Sequence, residues 1–318
     1  MRRFGWFALL LGWAALALCA CAPVAEDAGP EPERIYATFY PIYALSSLAL
    51  KDIPAVELKC LVAPQDGCLR SYALSDRDAY LLKYSADAVI AGGRGLESFE
   101  STLYALGDDG PAVVTVLNNR ELYNQGDQSE SGEDTSHLSG ENPHLYMSVD
   151  GAKEMVEAIA LYMSELDPDY EGRYMENLDA ATARLDALKA EMASLAAGAA
   201  GAAGGRAILI NEALIYLARE LNLTVAGQFD RESGEPLAGA DLENCLKELS
   251  GMDARVVLIE KQAPKALVDA LTDAGYIVTK IDILSTGRED MGADGYFTAQ
   301  LENARAIGRA FEDAEGSD

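Results

Sequence analysis

Histidine is almost absent from this chain: His137 and His144 are the only two among 318 residues. So few imidazoles exclude a His-Glu-x-x-His helix, and any metal shell must draw on other side chains as well. Neither a nucleophile elbow nor a nucleotide-binding glycine loop occurs, so no catalytic residue is assigned and the chain does not read as an enzyme. Glu212 and Glu260 could be paired as acid and base, but carboxylates are common in so acidic a chain. Basic residues are scarce too, 25 against 52 acidic ones, for a net charge of −27. That surface would repel nucleic acid along its whole length. Long apolar runs are also missing, since the longest, residues 7–18, is too short to span a bilayer.

That run follows Arg2 and Arg3 and reads as a secretory signal. Leu18-Cys19-Ala20-Cys21 after it resembles a lipobox, with a small residue before Cys21. Cleavage before Cys19 fits less well, because Leu18 is bulky. Residues 1–20 are therefore expected to be a lipoprotein signal peptide, and Cys21 the lipidated first residue that anchors an extracytoplasmic protein to the cell membrane. Residues 21–33, rich in proline, alanine and acid, have the composition of a flexible tether. Cys60, Cys68 and Cys245 remain, an odd number. Cys60 and Cys68 are close enough in sequence for a small-loop disulfide, but spacing does not decide connectivity.

The body reads as α/β, with two similar halves around a helical segment. In residues 34–149, β-rich runs at 35–39, 56–62, 88–91 and 112–117 alternate with helical stretches. Ser75 and Asp78 make a capping-box-like helix start, and Gly92-Gly93-Arg94-Gly95 reads as a tight turn because it lacks the spacing of a phosphate loop. Apolar positions recur at helical spacing from Asp150 to Leu195, which predicts one long helix kinked at Pro168. Residues 196–205, all alanine and glycine, complete a bridging segment 150–205 as a loose linker. Residues 206–318 repeat the alternation with strands at 207–210, 256–260 and 277–281. Pro264 and Gly275 frame the helix between the last two.

Asn142-Pro143-His144-Leu145-Tyr146 stands before the long helical segment. Proline fixes its own φ and biases Asn142 away from helix, so His144 leaves an extended turn at a defined angle. Imidazole is the commonest metal ligand. In open α/β sheets ligands lie beyond the carboxyl ends of strands, where Asn211, Glu212, Glu260 and Asp282 are expected. Arg70 lies in the loop after the second strand. A cleft between two lobes, lined by one group per loop, is a binding-protein geometry.

Ala37-Thr38-Phe39-Tyr40-Pro41, residues 87–97, Asn142-Pro143-His144, Asn211-Glu212-Ala213 with Tyr216-Leu217, and Ile281-Asp282 follow one another in a specific order. From Ile35 to Phe311 the chain resembles the substrate-binding lipoproteins of bacterial ABC importers for zinc and manganese. The resemblance implies two α/β lobes with mostly parallel sheets, bridged by one long rigid helix that limits closure to small movements. A divalent metal, zinc or manganese, would be held between the lobes by three histidines and a carboxylate, or two of each. It also implies a monomer that serves an ABC permease and its ATPase.

His144 and Asp282 match two of those ligand positions. Arg70 stands where the first histidine is expected, and Asn211 where the third is. Arginine stays protonated and offers no lone pair, so Arg70 cannot be a ligand. Unit charges about 4 Å apart interact by about 4 kcal/mol at an effective dielectric near 20, and a divalent ion beside a guanidinium would feel roughly twice that. Three arrangements answer the loss. Arg70 can turn to solvent while Cys68, Asp66, Glu212 or Glu260 completes a shell with His144 and Asp282. The cleft can instead take an anion or small organic ligand. Or an Arg70–Asp282 ion pair can stand in place of the metal, in a divergent relative whose role is adhesion. Residues 127–141 before His144 are acidic and polar, with His137 as their one imidazole, and read as a solvated loop.

Trp6 and Trp13 are the only tryptophans, and both precede Cys21. Protein recovered from the membrane should therefore emit as tyrosine alone when excited in the near ultraviolet. Tryptophan emission would show that the leader is retained.

Overall fold

The computed structural model describes residues 31–62, 72–106, 110–124, 140–200, 205–229, 239–285 and 291–316. Strands β1 (Glu33–Ala37), β2 (Val56–Cys60), β3 (Ala88–Ala91) and β4 (Ala112–Thr115) form one sheet in the order β2-β1-β3-β4, all parallel. Helices α1 (Tyr40–Ala49), α2 (Asp76–Ser85) and α3 (Glu100–Tyr104) alternate with them. Two short antiparallel strands follow, β5 (Tyr123–Asn124) and β6 (Glu141–Asn142). The second sheet contains β7 (Arg206–Ile210), β8 (Thr224–Phe229), β9 (Val256–Glu260) and β10 (Ile277–Ile281) in the order β10-β9-β7-β8, again all parallel. Each sheet thus runs second, first, third, fourth in its own chain order. The halves repeat one topology, with the strand order reversing between β1 and β3 and between β7 and β9.

The predicted strands exist, with shorter carboxyl ends in the first sheet. Residues 38–39, 61–62 and 116–117 lie beyond the strand ends, although the N–H groups of Thr38, Leu61, Val62, Val116 and Leu117 still donate across the sheet. β8 was not foreseen from sequence. It is an edge strand with a glycine inside it and a register shift beside it, so it has little apolar alternation to reveal it. Ser75 caps α2 as read: its Oγ accepts from the Asp78 N–H at 3.1 Å and donates to Asp78 Oδ2 at 2.6 Å.

The expected single helix kinked at Pro168 is instead two helices, α4 (Val149–Leu166) and α5 (Glu171–Leu195), joined by a 3₁₀ turn at Pro168–Tyr170. Proline lacks the N–H that would continue α4 and disfavours helix at Asp167, whose φ and ψ are −129° and 76°. The chain then reverses. Lys189 reaches Asp150 at 2.5 Å and Lys153 reaches Asp186 at 2.8 Å, an antiparallel register centred on that turn. These pairs are largely exposed and worth ~0.2–1 kcal/mol each, so they specify the pairing more than they stabilise it. The 25-residue α5 is the long central helix. The alanine-glycine run is also not wholly a linker, because residues Ala197–Ala200 form a helical turn, α6, with Ala199 buried.

Four helices complete the second half: α7 (Leu214–Glu220), α8 (Ala240–Leu249), α9 (Lys265–Asp273) and α10 (Gly292–Glu315). Gly275, with φ of 90°, follows α9 as anticipated. Successive residues of the second sheet face opposite ways. Ala207, Leu209, Val256 and Leu258 join a large core that also contains the first sheet, α4, α5 and α10. Ile208, Ile210, Val257 and Ile259 face a smaller cluster with Leu249, Leu267 and Leu271. Residues Glu33–Asp318 form one compact unit.

Gly308 lets α10 approach the end of α5. A β-carbon there would lie inside contact distance of the Leu195 carbonyl oxygen, a backbone atom with little room to yield. Gly172, in the first turn of α5, has nothing within 4 Å. Gly308→Ala should lower the unfolding free energy by about 1–3 kcal/mol in urea titration. Gly172→Ala should raise it by about 0.5–1 kcal/mol.

Candidate metal centre

His144 leaves β6 through Pro143 and enters a 3₁₀ turn at Leu145–Met147 that leads into α4. Its ring is buried, and Asn142 holds it. Asn142 Nδ2 donates to the Glu212 carbonyl at 2.8 Å, which fixes the direction of the amide. Oδ1 therefore faces His144, accepting its backbone N–H at 3.0 Å and lying 2.9 Å from ring Nδ1. Nδ1 must carry the proton, which leaves the lone pair on Nε2. That is the arrangement of a metal-binding imidazole, whose second nitrogen donates to a fixed carbonyl.

The same segment is fastened to the second half. The Tyr216 hydroxyl donates to the Asn142 carbonyl at 2.7 Å and accepts from the Tyr123 N–H at 2.9 Å, clasping β5, β6 and α7 together. Burial pushes the Tyr216 phenol up, so it stays a donor across ordinary pH. Glu212 is buried at the carboxyl end of β7, with Oε1 3.7 Å from His144 Nδ1. Asn211 Oδ1 accepts the Ala213 N–H at 2.9 Å, a turn that leads into α7. Glu260 is fully buried where β9 ends.

Asp282 follows β10 and is held through its backbone. Asn303 Oδ1 accepts the Asp282 N–H, and Asn303 Nδ2 donates to the Asp282 carbonyl, both at 2.8 Å. Asp282 Oδ1 accepts the Leu284 N–H at 2.8 Å. Leu284 sits in the left-handed region at φ 65°, a conformation that a buried leucine keeps only when its surroundings fix it. Lys261 Nζ lies 3.4 Å from Asp282 Oδ2.

Two consecutive residues, Phe39 and Tyr40, face the surroundings of His144 and of Asp282. The ring of Phe39 meets that of Tyr146 edge-on at 5.9 Å, and Tyr146 meets His144 in the same way at 5.9 Å. Next in the chain, Tyr40 donates to the Gly292 carbonyl at 3.1 Å. Burial pushes the Tyr40 hydroxyl up, and the nearby Asp282 carboxylate raises it further. The glycine turn after β3 binds no phosphate here, because the Gly92 and Gly93 N–H groups hold the Glu97 carboxylate at 2.7 and 3.0 Å, with Thr38 Oγ donating at 2.7 Å. Burial pushes the Glu97 carboxyl up, opposed by those three donors.

The structure thus groups His144 with Glu212, and Asp282 with Lys261. Among the described residues, no three of His, Cys, Asp and Glu gather as a metal shell. Arg70, Cys68, Asp66, His137 and Cys21 lie outside the described residues, so the Arg70–Asp282 pair and the Cys60–Cys68 bridge do as well. Cys60 Sγ donates to the Val62 carbonyl at 3.4 Å.

Sequence reasoning missed the buried polar row on α10. Tyr296 donates to the Tyr146 carbonyl at 2.9 Å, Gln300 to the Met147 carbonyl at 3.1 Å, and Asn303 holds Asp282. Residues 296, 300 and 303 are spaced i, i+4 and i+7, so they share one helix face. Polar side chains on an otherwise apolar helical stripe were the available signal.

A family model described as the zinc-uptake complex component A, periplasmic (ZnuA), matches residues 35–310. Among solved structures, the SBP FpvC of Pseudomonas aeruginosa in complex with Ni2+ is 23% identical with a TM-score of 0.74, over 89% of this chain and 98% of that one. The Zn(II)-bound ZnuA-like domain of AdcA from Streptococcus pneumoniae is 19% identical with a TM-score of 0.69, over 88% and 99%. An Mn-bound mutant of a periplasmic metal-binding protein from Candidatus Liberibacter asiaticus gives 17% and 0.69, over 88% and 99%. At these identities the likeness establishes the two-lobed α/β fold. No helix among the described residues is long and apolar enough to cross a membrane.

With two histidines in the chain, the imidazole nitrogens can be observed directly. Nitrogen-15 spectra above neutral pH should show His144 protonated at Nδ1 and bare at Nε2, and Asn142→Leu should mix the tautomers. A wild-type ring protonated at Nε2 would remove the basis for a ligand at that atom.

Proposed function

We propose, from the premise that this chain belongs to the family of periplasmic zinc-uptake complex component A, that it captures a divalent metal ion, zinc or manganese, outside the cytoplasm. Proteins of this family are transport binding proteins rather than enzymes, and work with ABC permease and ATPase components. This chain would deliver its ion to such a permease as a monomer, tethered by residues 21–33 to a lipid on Cys21.

The observation that carries the reading is the Asn142 amide, which leaves the lone pair of His144 on Nε2. His144 Nε2 and the Asp282 carboxylate are the two primary ligands. Glu212, with Oε1 3.7 Å from the protonated nitrogen and behind the Asn142 amide, acts on the imidazole by its charge and raises its basicity. Asn211 is engaged with the start of α7 and acts on the backbone. The remaining ligands come from Cys68, Asp66 or Glu260, with the Arg70 guanidinium turned away from the ion. A thiolate in that shell would favour zinc.

Elemental analysis of the full chain in detergent, stripped and then incubated with zinc or manganese, tests this. Close to one ion per chain is expected, falling to background in His144→Ala and in Asp282→Asn. An empty wild type beside a metal-loaded Arg70→His, Asn211→His double variant would overturn metal capture by the native chain.

A further inference from the structure

The pairing of β9 with β10 sets Glu260 opposite Ile281. The next residue of each strand, Lys261 and Asp282, therefore emerges at the same level of the sheet edge. The Lys261 backbone N–H continues the ladder to the Ile281 carbonyl at 2.8 Å, so its α-carbon is fixed. Its side chain is 60% exposed and ends 3.4 Å from Asp282 Oδ2, while the Asp282 side chain is only 23% exposed. The acid is thus held by Asn303 and Leu284, and the ammonium reaches it on a flexible stem.

We infer that Lys261 is an exchangeable counter-ion that sets how tightly Asp282 holds its cargo, an inference that rests on the proposed metal capture. Without an ion, the ammonium neutralises Asp282 in a chain of net charge −27. A divalent cation and an ammonium repel each other on one carboxylate, so capture requires the lysine to swing into solvent. Its exposure makes that movement easy. As the ion leaves, the ammonium returns, and the carboxylate is never left bare. Lys261 therefore lowers affinity and speeds release, which suits a protein that must hand its ligand on.

The test is a competition titration of the full chain against a chromogenic chelator, with zinc and with manganese, together with the rate of release. Lys261→Met should bind about tenfold more tightly, chiefly through slower release, whereas Lys261→Arg, which keeps the charge, should stay near the wild type. The gain in Lys261→Met should shrink as ionic strength rises and screens the ammonium, a dependence that a merely structural lysine would not show. Unchanged affinity in Lys261→Met, with a wild type that loads metal through His144, would overturn the counter-ion role and leave metal capture standing. No metal on either the wild type or Lys261→Met would overturn metal capture, and the inference with it.

Discussion

One face of the last helix sets the separation of His144 and Asp282, the two proposed ligands. Tyr296 and Gln300 hold the carbonyls of Tyr146 and Met147, just after His144, and Asn303 grips Asp282 by its backbone N–H and carbonyl. All three side chains are buried. A buried polar group without a partner costs about 1–3 kcal/mol, so each of these contacts is expensive to break, and together they make α10 a ruler across the site. It works because α10 is continuous for 24 residues and packs against α1, α5 and β10.

That constraint bears on movement. The large core runs without interruption from the first sheet through α4, α5 and α10 to one face of the second sheet. A wide rotation of one half on the other would expose part of it, at roughly 25 cal/mol for each Å² of apolar surface. Tyr216 adds a second tie, since its hydroxyl joins β5 and β6 to α7. Glu220 adds a third: its carboxylate, at the end of α7, accepts the Val149 N–H at 3.0 Å and meets Lys189 at 3.0 Å. Small adjustments of side chains and loops, such as a lysine leaving a carboxylate, are the movements that such a frame permits.

Much of this was legible in the sequence. The alternation of strands and helices, the caps at Ser75 and around α9, the glycine turn and the placing of Asn211, Glu212, Glu260 and Asp282 at strand ends followed from period, turn chemistry and order, and the parallel sheets from the family resemblance. What stayed hidden was of two kinds. Reversal at Pro168 left the apolar period intact on both sides, so periodicity alone could not distinguish a kink from a hairpin. The roles of Asn142, Lys261 and Asn303 depend on contacts between residues far apart in sequence, or on which way an amide points. The Glu260–Ile281 register, which sets Lys261 beside Asp282, is a property of the sheet and of neither strand alone.

The frame and the ligands are separable, and this accounts for how the fold tolerates Arg70 and Asn211 where a resembling metal carrier has imidazoles. Nearly every bond that orients the site goes to backbone: Asn142 to the Glu212 carbonyl, Tyr216 to the Asn142 carbonyl, Asn303 to both sides of Asp282. Those bonds survive a change of side chain at His144, Asn211 or Asp282, although the bonds that Asn211 and Asp282 make through their own side chains, to the Ala213 and Leu284 N–H groups, do not. The groups at the strand ends can therefore vary on a constant backbone geometry. Lys261 already lies beside Asp282, so under the proposed capture an entering cation competes with that ammonium for the carboxylate.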